Sequence, residues 1–170
     1  KAELAEGRQC LIYMSQVHRR DARYRVKALL EDNGIRVNIL DSSVPADRRE
    51  SWLRENTNFD VLITNGKLVE TGLGLMFAKT IIQYGTEYSI NTLRQSIRRS
   101  WRLGQCHPIK VIFLAYKGTM QEIALDLIAR KMHAAELIAG DESGGLSSLD
   151  VGNTDIFIEL AHEVIKKRGL

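Results

Sequence analysis

Apolar and polar positions alternate along this chain in two rhythms. Short, nearly continuous apolar runs occupy Gln9 to Met14, Arg36 to Leu40, Val61 to Thr64, Thr80 to Tyr84 and Lys110 to Ala115. Their length and lack of a polar face predict strands buried on both sides of a parallel sheet. Between them, apolar residues recur every three or four positions, the period of amphipathic helices. The first such helix is expected from roughly Arg19 to Asp32, with Val26, Leu29 and Leu30 inward and Asn33-Gly34 as its stop. The second enters through Pro45, tolerated in a first turn, and continues to about Asn56 with Trp52 and Leu53 buried. A third spans Leu93 to Gln105, entered through Ser89 or Asn91 as cap. The fourth opens at a Thr119–Glu122 capping box and runs to about Ala139, burying Ile123, Leu127, Ile128 and Ala135.

Strands alternating with helices predict an α/β fold, a three-layer sandwich with a mostly parallel sheet flanked by helices. Residues 1–140 form that lobe. Residues 141–170 hold a linker rich in Gly, Ser and Asp, then an amphipathic helix over Ile156 to Lys167. At 170 residues, 44% hydrophobic and 26% charged, the chain has the composition of an ordinary soluble domain. No run is long enough for a membrane span, and no signal peptide opens the chain. A first residue of Lys1, not methionine, points to a fragment or processed chain. Cys10 and Cys106 lack metal-type spacing, which predicts a reduced, intracellular protein. The four histidines are scattered, as surface or packing residues would be. A net charge of +3 is too small to argue for nucleic acid; the clustering of Arg94, Arg98, Arg99 and Arg102 matters more.

Wound at about 3.6 residues per turn, that arginine stretch divides into two faces. Leu93, Ile97 and Trp101 form one apolar stripe, and Gln95, Arg98, Arg99 and Arg102 lie opposite, with Gly104 as the helix stop. Composition alone would make this a solvated basic helix. The spacing Gln95-x-x-x-Arg99-x-x-Arg102-x-Gly104-Gln105, however, resembles motif VI of superfamily-two helicases and translocases, in its Swi/Snf form. Leu11 to Gln16 is similar to motif IV, which ends a strand in Ser-Gln. Asp60 to Thr64 followed by Thr71-Gly-Leu-Gly-Leu75 resembles motif V. The resemblance covers about Gln9 to Gly140 and implies the second, C-terminal RecA-like lobe of such a motor. Taken alone, a Gly-Leu-Gly pair is more often just a turn.

The resemblance implies that Arg99 and Arg102 are arginine fingers, reaching ATP bound on an N-terminal RecA-like lobe. Gln95, Gly72 and Gly74 would lie at the nucleotide. Ser15, Gln16, Thr64, Asn65, Lys67 and Thr71 would meet the backbone of nucleic acid, double-stranded DNA by the Swi/Snf likeness. Physics agrees: glycines permit close approach and unusual φ, and N–H groups and hydroxyls are good phosphate donors. Arg98 is expected to be a surface or DNA-side charge. The Walker lysine motif is missing, so ATP and Mg must be held mainly by the other lobe, and this chain alone should not hydrolyse ATP.

Some positions depart from the family pattern. The loop between Thr64 and Gly72 is long, Met76 stands where Asn is usual, and Gly74 stands where many relatives place a ribose-contacting Asp. Glu87 to Ile90 replaces Asp-Trp-Asn-Pro, which points to a divergent bacterial or phage-like branch and hence to the bacterial cytosol and nucleoid. The competing expectation is a catalytically inert, motor-like lobe serving as a DNA-binding or scaffolding module. A small-molecule Rossmann enzyme ranks low, for want of Gly-x-Gly-x-x-Gly after the first strand.

Overall fold

The computed structural model describes residues 1–14, 21–69, 73–85, 90–101 and 104–139, and of 90–92, 94 and 131–139 the backbone only. Contacts divide the chain into two units, residues 1–85 with 95–114, and residues 86–94 with 115–170. The first holds a five-stranded sheet of β1 (Cys10–Met14), β2 (Val37–Leu40), β3 (Val61–Thr64), β4 (Thr80–Tyr84) and β5 (Lys110–Leu114), ordered β2-β3-β1-β4-β5. Every neighbouring pair is parallel. All five residues of β1 and all four of β3 are buried, which is why these runs carry no polar alternation.

On one face, Cys10, Ile12, Met14, Val37, Val61 and Ile63 pack with Ile35. Ala22 covers them together with Val26 and Leu30 of α2 (Arg23–Glu31). Those three positions recur at i, i+4 and i+8, a stripe too narrow to include Leu29, which is 57% exposed instead of inward as expected. The stop at Asn33-Gly34 is as expected: Gly34 takes φ +75°, its N–H bonds to the Glu31 carbonyl, and that of Ile35 to Leu30. Helix α2 starts at Arg23, later than the expected Arg19, and residues 15–20 lie outside the described ones.

After β2 the chain forms a 3₁₀ turn (Ala46–Arg48) and then α3 (Arg49–Glu55), not one continuous helix from Pro45. Trp52 and Leu53 are only half-buried. On the opposite face of the sheet, Leu11, Leu62 and Ile81 stand side by side in register, each fully buried.

The amino edge is tied by ions. The Glu3 carboxylate of α1 (Ala2–Ala5) accepts from the Thr80 hydroxyl at 2.8 Å and from the Lys110 ammonium. Arg36 forks onto Asp60, with Nη2 2.5 Å from Oδ1. Lys110, with help from Thr80, holds the Glu3 carboxyl below the usual carboxylate range, and the Arg36 guanidinium does the same to Asp60. Beyond β2, the Ser43 hydroxyl holds the Asp41 carboxyl down. A lowered folded-state value means that stability is fully present above the ordinary carboxylate values and lost as pH falls through the lowered ones. Thermal melts from about pH 7 to pH 2 should therefore show a midpoint that begins to drop below about pH 5. In Glu3→Gln and Asp60→Asn variants that drop should be shallower.

The second unit carries α5 (Met120–Ala139). Its start departs slightly from the reciprocal capping box: Thr119 Oγ1 accepts from the Gln121 N–H, while Glu122 accepts from Gly118 N–H at 2.7 Å. Ala124 and Ile128 are buried, with Ile123 and Leu127 half-buried. The expected linker and last helix lie outside the described residues, and no described helix is long and apolar enough to cross a membrane.

Candidate functional site

Ligands of open parallel sheets gather beyond the carboxyl ends of the strands. After β3, Thr64 is fully buried and donates its hydroxyl to the Leu40 carbonyl at 2.9 Å, across to the neighbouring strand. That bond turns the hydroxyl toward the sheet. Asn65 is buried too, and its Oδ1 accepts from the Lys67 N–H at 2.9 Å, shaping a 3₁₀ turn over Gly66–Val69. This turn leaves the Lys67 side chain exposed. Arg49 of α3 staples the turn to the loop after β2, donating to the Leu68 carbonyl at 2.7 Å and the Val44 carbonyl at 3.2 Å.

Farther along, Leu73 and Leu75 are buried with Gly74 exposed between them. Gly74 does not take a left-handed φ, and a Cβ at that position meets nothing within 4 Å. Among the described residues, nothing crowds that position. Ser15, Gln16, Thr71, Gly72 and Arg102 lie outside the described residues.

Helix α4 spans Ile90–Arg98, so it stops well before Gly104, and Arg99 sits in the turn that follows. The buried face is Leu93, Ser96, Ile97 and Ser100, while Gln95 and Arg98 are exposed and Arg99 is half-buried. Trp101, expected in the buried stripe, is 48% exposed. The Ser100 N–H bonds to the Ile97 carbonyl three residues back, so the turn tightens there, while the Trp101 N–H reaches the same carbonyl four residues back. The Ser96 carbonyl, freed of Ser100, accepts from the Tyr13 hydroxyl of β1 at 3.1 Å. Gln83 of β4 adds a 3.5 Å contact to Ser96 Oγ. Burial pushes the Tyr13 phenol far up, against a smaller opposing pull from the Arg99 guanidinium, so it stays a neutral donor at physiological pH. Gly104 takes φ +97° and turns the chain back, as the expected stop residue should, but in a later turn.

The arginine turn and the glycine segment are joined. Leu75 N–H donates to the Arg99 carbonyl at 3.1 Å, and Gln105 Nε2 donates to both Met76 and Ser100 carbonyls, at 2.9 and 3.1 Å. Tyr13, Gln83 and Arg49 had not been singled out from sequence. A tyrosine in an apolar strand looks like core, and nothing local marks an arginine that bonds a main-chain carbonyl 19 residues away.

Residues 2–104 match the model of the helicase conserved C-terminal domain. The chain belongs to this helicase family. It is similar to the TATA-binding protein-associated factor mot1 of Aspergillus fumigatus, 32% identical over 124 residues, covering 71% of this chain and 6% of that protein. The ATP-dependent helicase YqhH of Bacillus subtilis is 29% identical over 143 residues, covering 80% of this chain and 24% of YqhH. The solved C-terminal part of the Fun30 ATPase domain superposes with a TM-score of 0.68 at 17% identity, over 98% of this chain and 50% of that one. The chain thus spans only a small part of the curated relatives it matches. Its fold is the RecA-like α/β fold, and the helicase C-terminal domain is a superfamily-two C-terminal lobe of Swi/Snf type, a part of ATP-dependent helicases and translocases.

Proposed function

We propose that this helicase domain is the second lobe of an ATP-driven motor moving along double-stranded DNA, completed by an N-terminal RecA-like lobe that holds ATP and magnesium. Bound between the lobes, ATP would meet Arg99, Arg102 and Gln95 from this side, with Gly72 and Gly74 nearby. The guanidinium groups neutralise charge that spreads over the γ-phosphate oxygens during transfer. Exposed Gln95 on α4 and half-buried Arg99 in the turn that follows are chemically suited to a triphosphate. Backbone phosphates would meet Ser15, Gln16, Asn65, Lys67 and Thr71. Thr64 would help there by shaping the turn through its bond to Leu40. We place the motor in the bacterial cytosol, at the nucleoid.

The observation that carries this reading is the hydrogen-bonded junction of the glycine segment with the arginine turn, both bearing the helicase motif spacing. The test is ATP hydrolysis by the two-lobe protein with and without duplex DNA. Stimulation by duplex supports a motor; DNA binding with no turnover would instead favour an inert DNA-binding or scaffolding lobe. Because Lys67 is exposed, Lys67→Ala should weaken duplex binding about equally for unrelated sequences. The slope of log affinity against log salt should fall by about 1, the mark of one lost phosphate contact. An unchanged slope would remove Lys67 from the DNA track.

A further inference from the structure

We propose that Gln105 is a positioning residue that couples the glycine segment to the arginine turn, a role that rests on the motor reading above. One side-chain amide has two N–H donors and one carbonyl acceptor. In Gln105 the nitrogen serves two main-chain carbonyls from separate stretches of chain, Met76 and Ser100, and its Oε1 accepts from the His107 N–H at 3.3 Å. With the Leu75 N–H on the Arg99 carbonyl, three hydrogen bonds join residues 75–76 to residues 99–100. Gly104, in its left-handed conformation, makes the reversal that precedes Gln105.

The arrangement has a mechanical consequence. Gly74, exposed and uncrowded, is two residues from the Met76 carbonyl. Any shift of this segment as DNA is gripped pulls on Gln105, and Gln105 holds the carbonyl next to Arg99. Glutamate at this position would set an acceptor against two carbonyl oxygens. Methionine, of similar length, would leave both carbonyls without a donor.

The experiment uses the two-lobe protein with Gln105→Glu and Gln105→Met, each checked for melting temperature. ATP turnover is measured against a plain DNA duplex, and duplex affinity separately by fluorescence anisotropy. The ratio of duplex-stimulated to duplex-free turnover should fall by about 5- to 150-fold, the usual range of coupling between sites, with affinity for the duplex retained. Hydrogen exchange supplies a second readout: duplex should alter protection at both 73–76 and 99–101 in the parent protein, but only at 73–76 in the variants. An unchanged ratio in both variants overturns the coupling role. So does a fall of basal and stimulated turnover in equal proportion, the sign of a purely structural residue. A parent protein that ignores duplex altogether overturns the motor reading itself, and the coupling role with it.

Discussion

Alanine at Arg99 or at Arg102 should abolish DNA-stimulated ATP hydrolysis by the two-lobe protein, lowering turnover by about 10³- to 10⁵-fold, the contribution of an arginine finger. The chain should still fold. Arg99 is half-buried in a turn, and its carbonyl accepts from the Leu75 N–H, a main-chain bond that alanine keeps. Its melting should show a loss of no more than about 1–2 kcal/mol. Arg99→Lys separates charge from geometry. Lysine keeps the positive charge but loses the planar fork of donors, so most of the rate loss should persist. Steady-state turnover at saturating duplex, set beside thermal melts, checks all three variants. Normal rates in both alanine variants would remove the finger assignment.

The largest effect on stability is expected in the centre of the sheet. Leu11 of β1 stands in register with Leu62 of β3 and Ile81 of β4, and none of the three is exposed. Leu11→Ala removes buried methyl groups from between two neighbouring strands, leaving a cavity that the sheet cannot easily close. Urea unfolding should show a loss of about 2–5 kcal/mol. Leu29→Ala is the matched control, because Leu29 on α2 is mostly exposed; it should cost less than about 0.5 kcal/mol. Similar losses in the two variants would mean that the core is not where these strands put it.

Much of this architecture was legible without coordinates. β3 and β4 fall on Val61–Thr64 and Thr80–Tyr84, the residues that the apolar runs indicated. A strand buried on both faces is written into consecutive side chains, so local composition suffices to find it. The spacing of Gln95, Arg99, Arg102, Gly104 and Gln105 likewise named the family before any contact was known. The inward turn of Leu29 was misjudged for a related reason. Periodicity says which residues share a helical stripe, but only the partner surface sets how wide a stripe it covers.

What the chain determined by itself, then, was the alternation of strand and helix and the intervals between chemistry-bearing residues. Both depend on nearest neighbours and on the steric limits of the backbone. The tertiary structure decided the end of α4, the exposure of Trp101, the inward-facing Thr64 hydroxyl and the two-way grip of Gln105. Three of these go with a hydrogen bond between distant segments: the helix end with Tyr13 to Ser96, the hydroxyl with Thr64 to Leu40, and the grip with Gln105 to Met76. A buried hydroxyl or amide must find a partner or bear a desolvation cost of about 1–3 kcal/mol. That cost outweighs the smaller local preference for one more turn of helix, and no local pattern foretells which distant carbonyl will meet it.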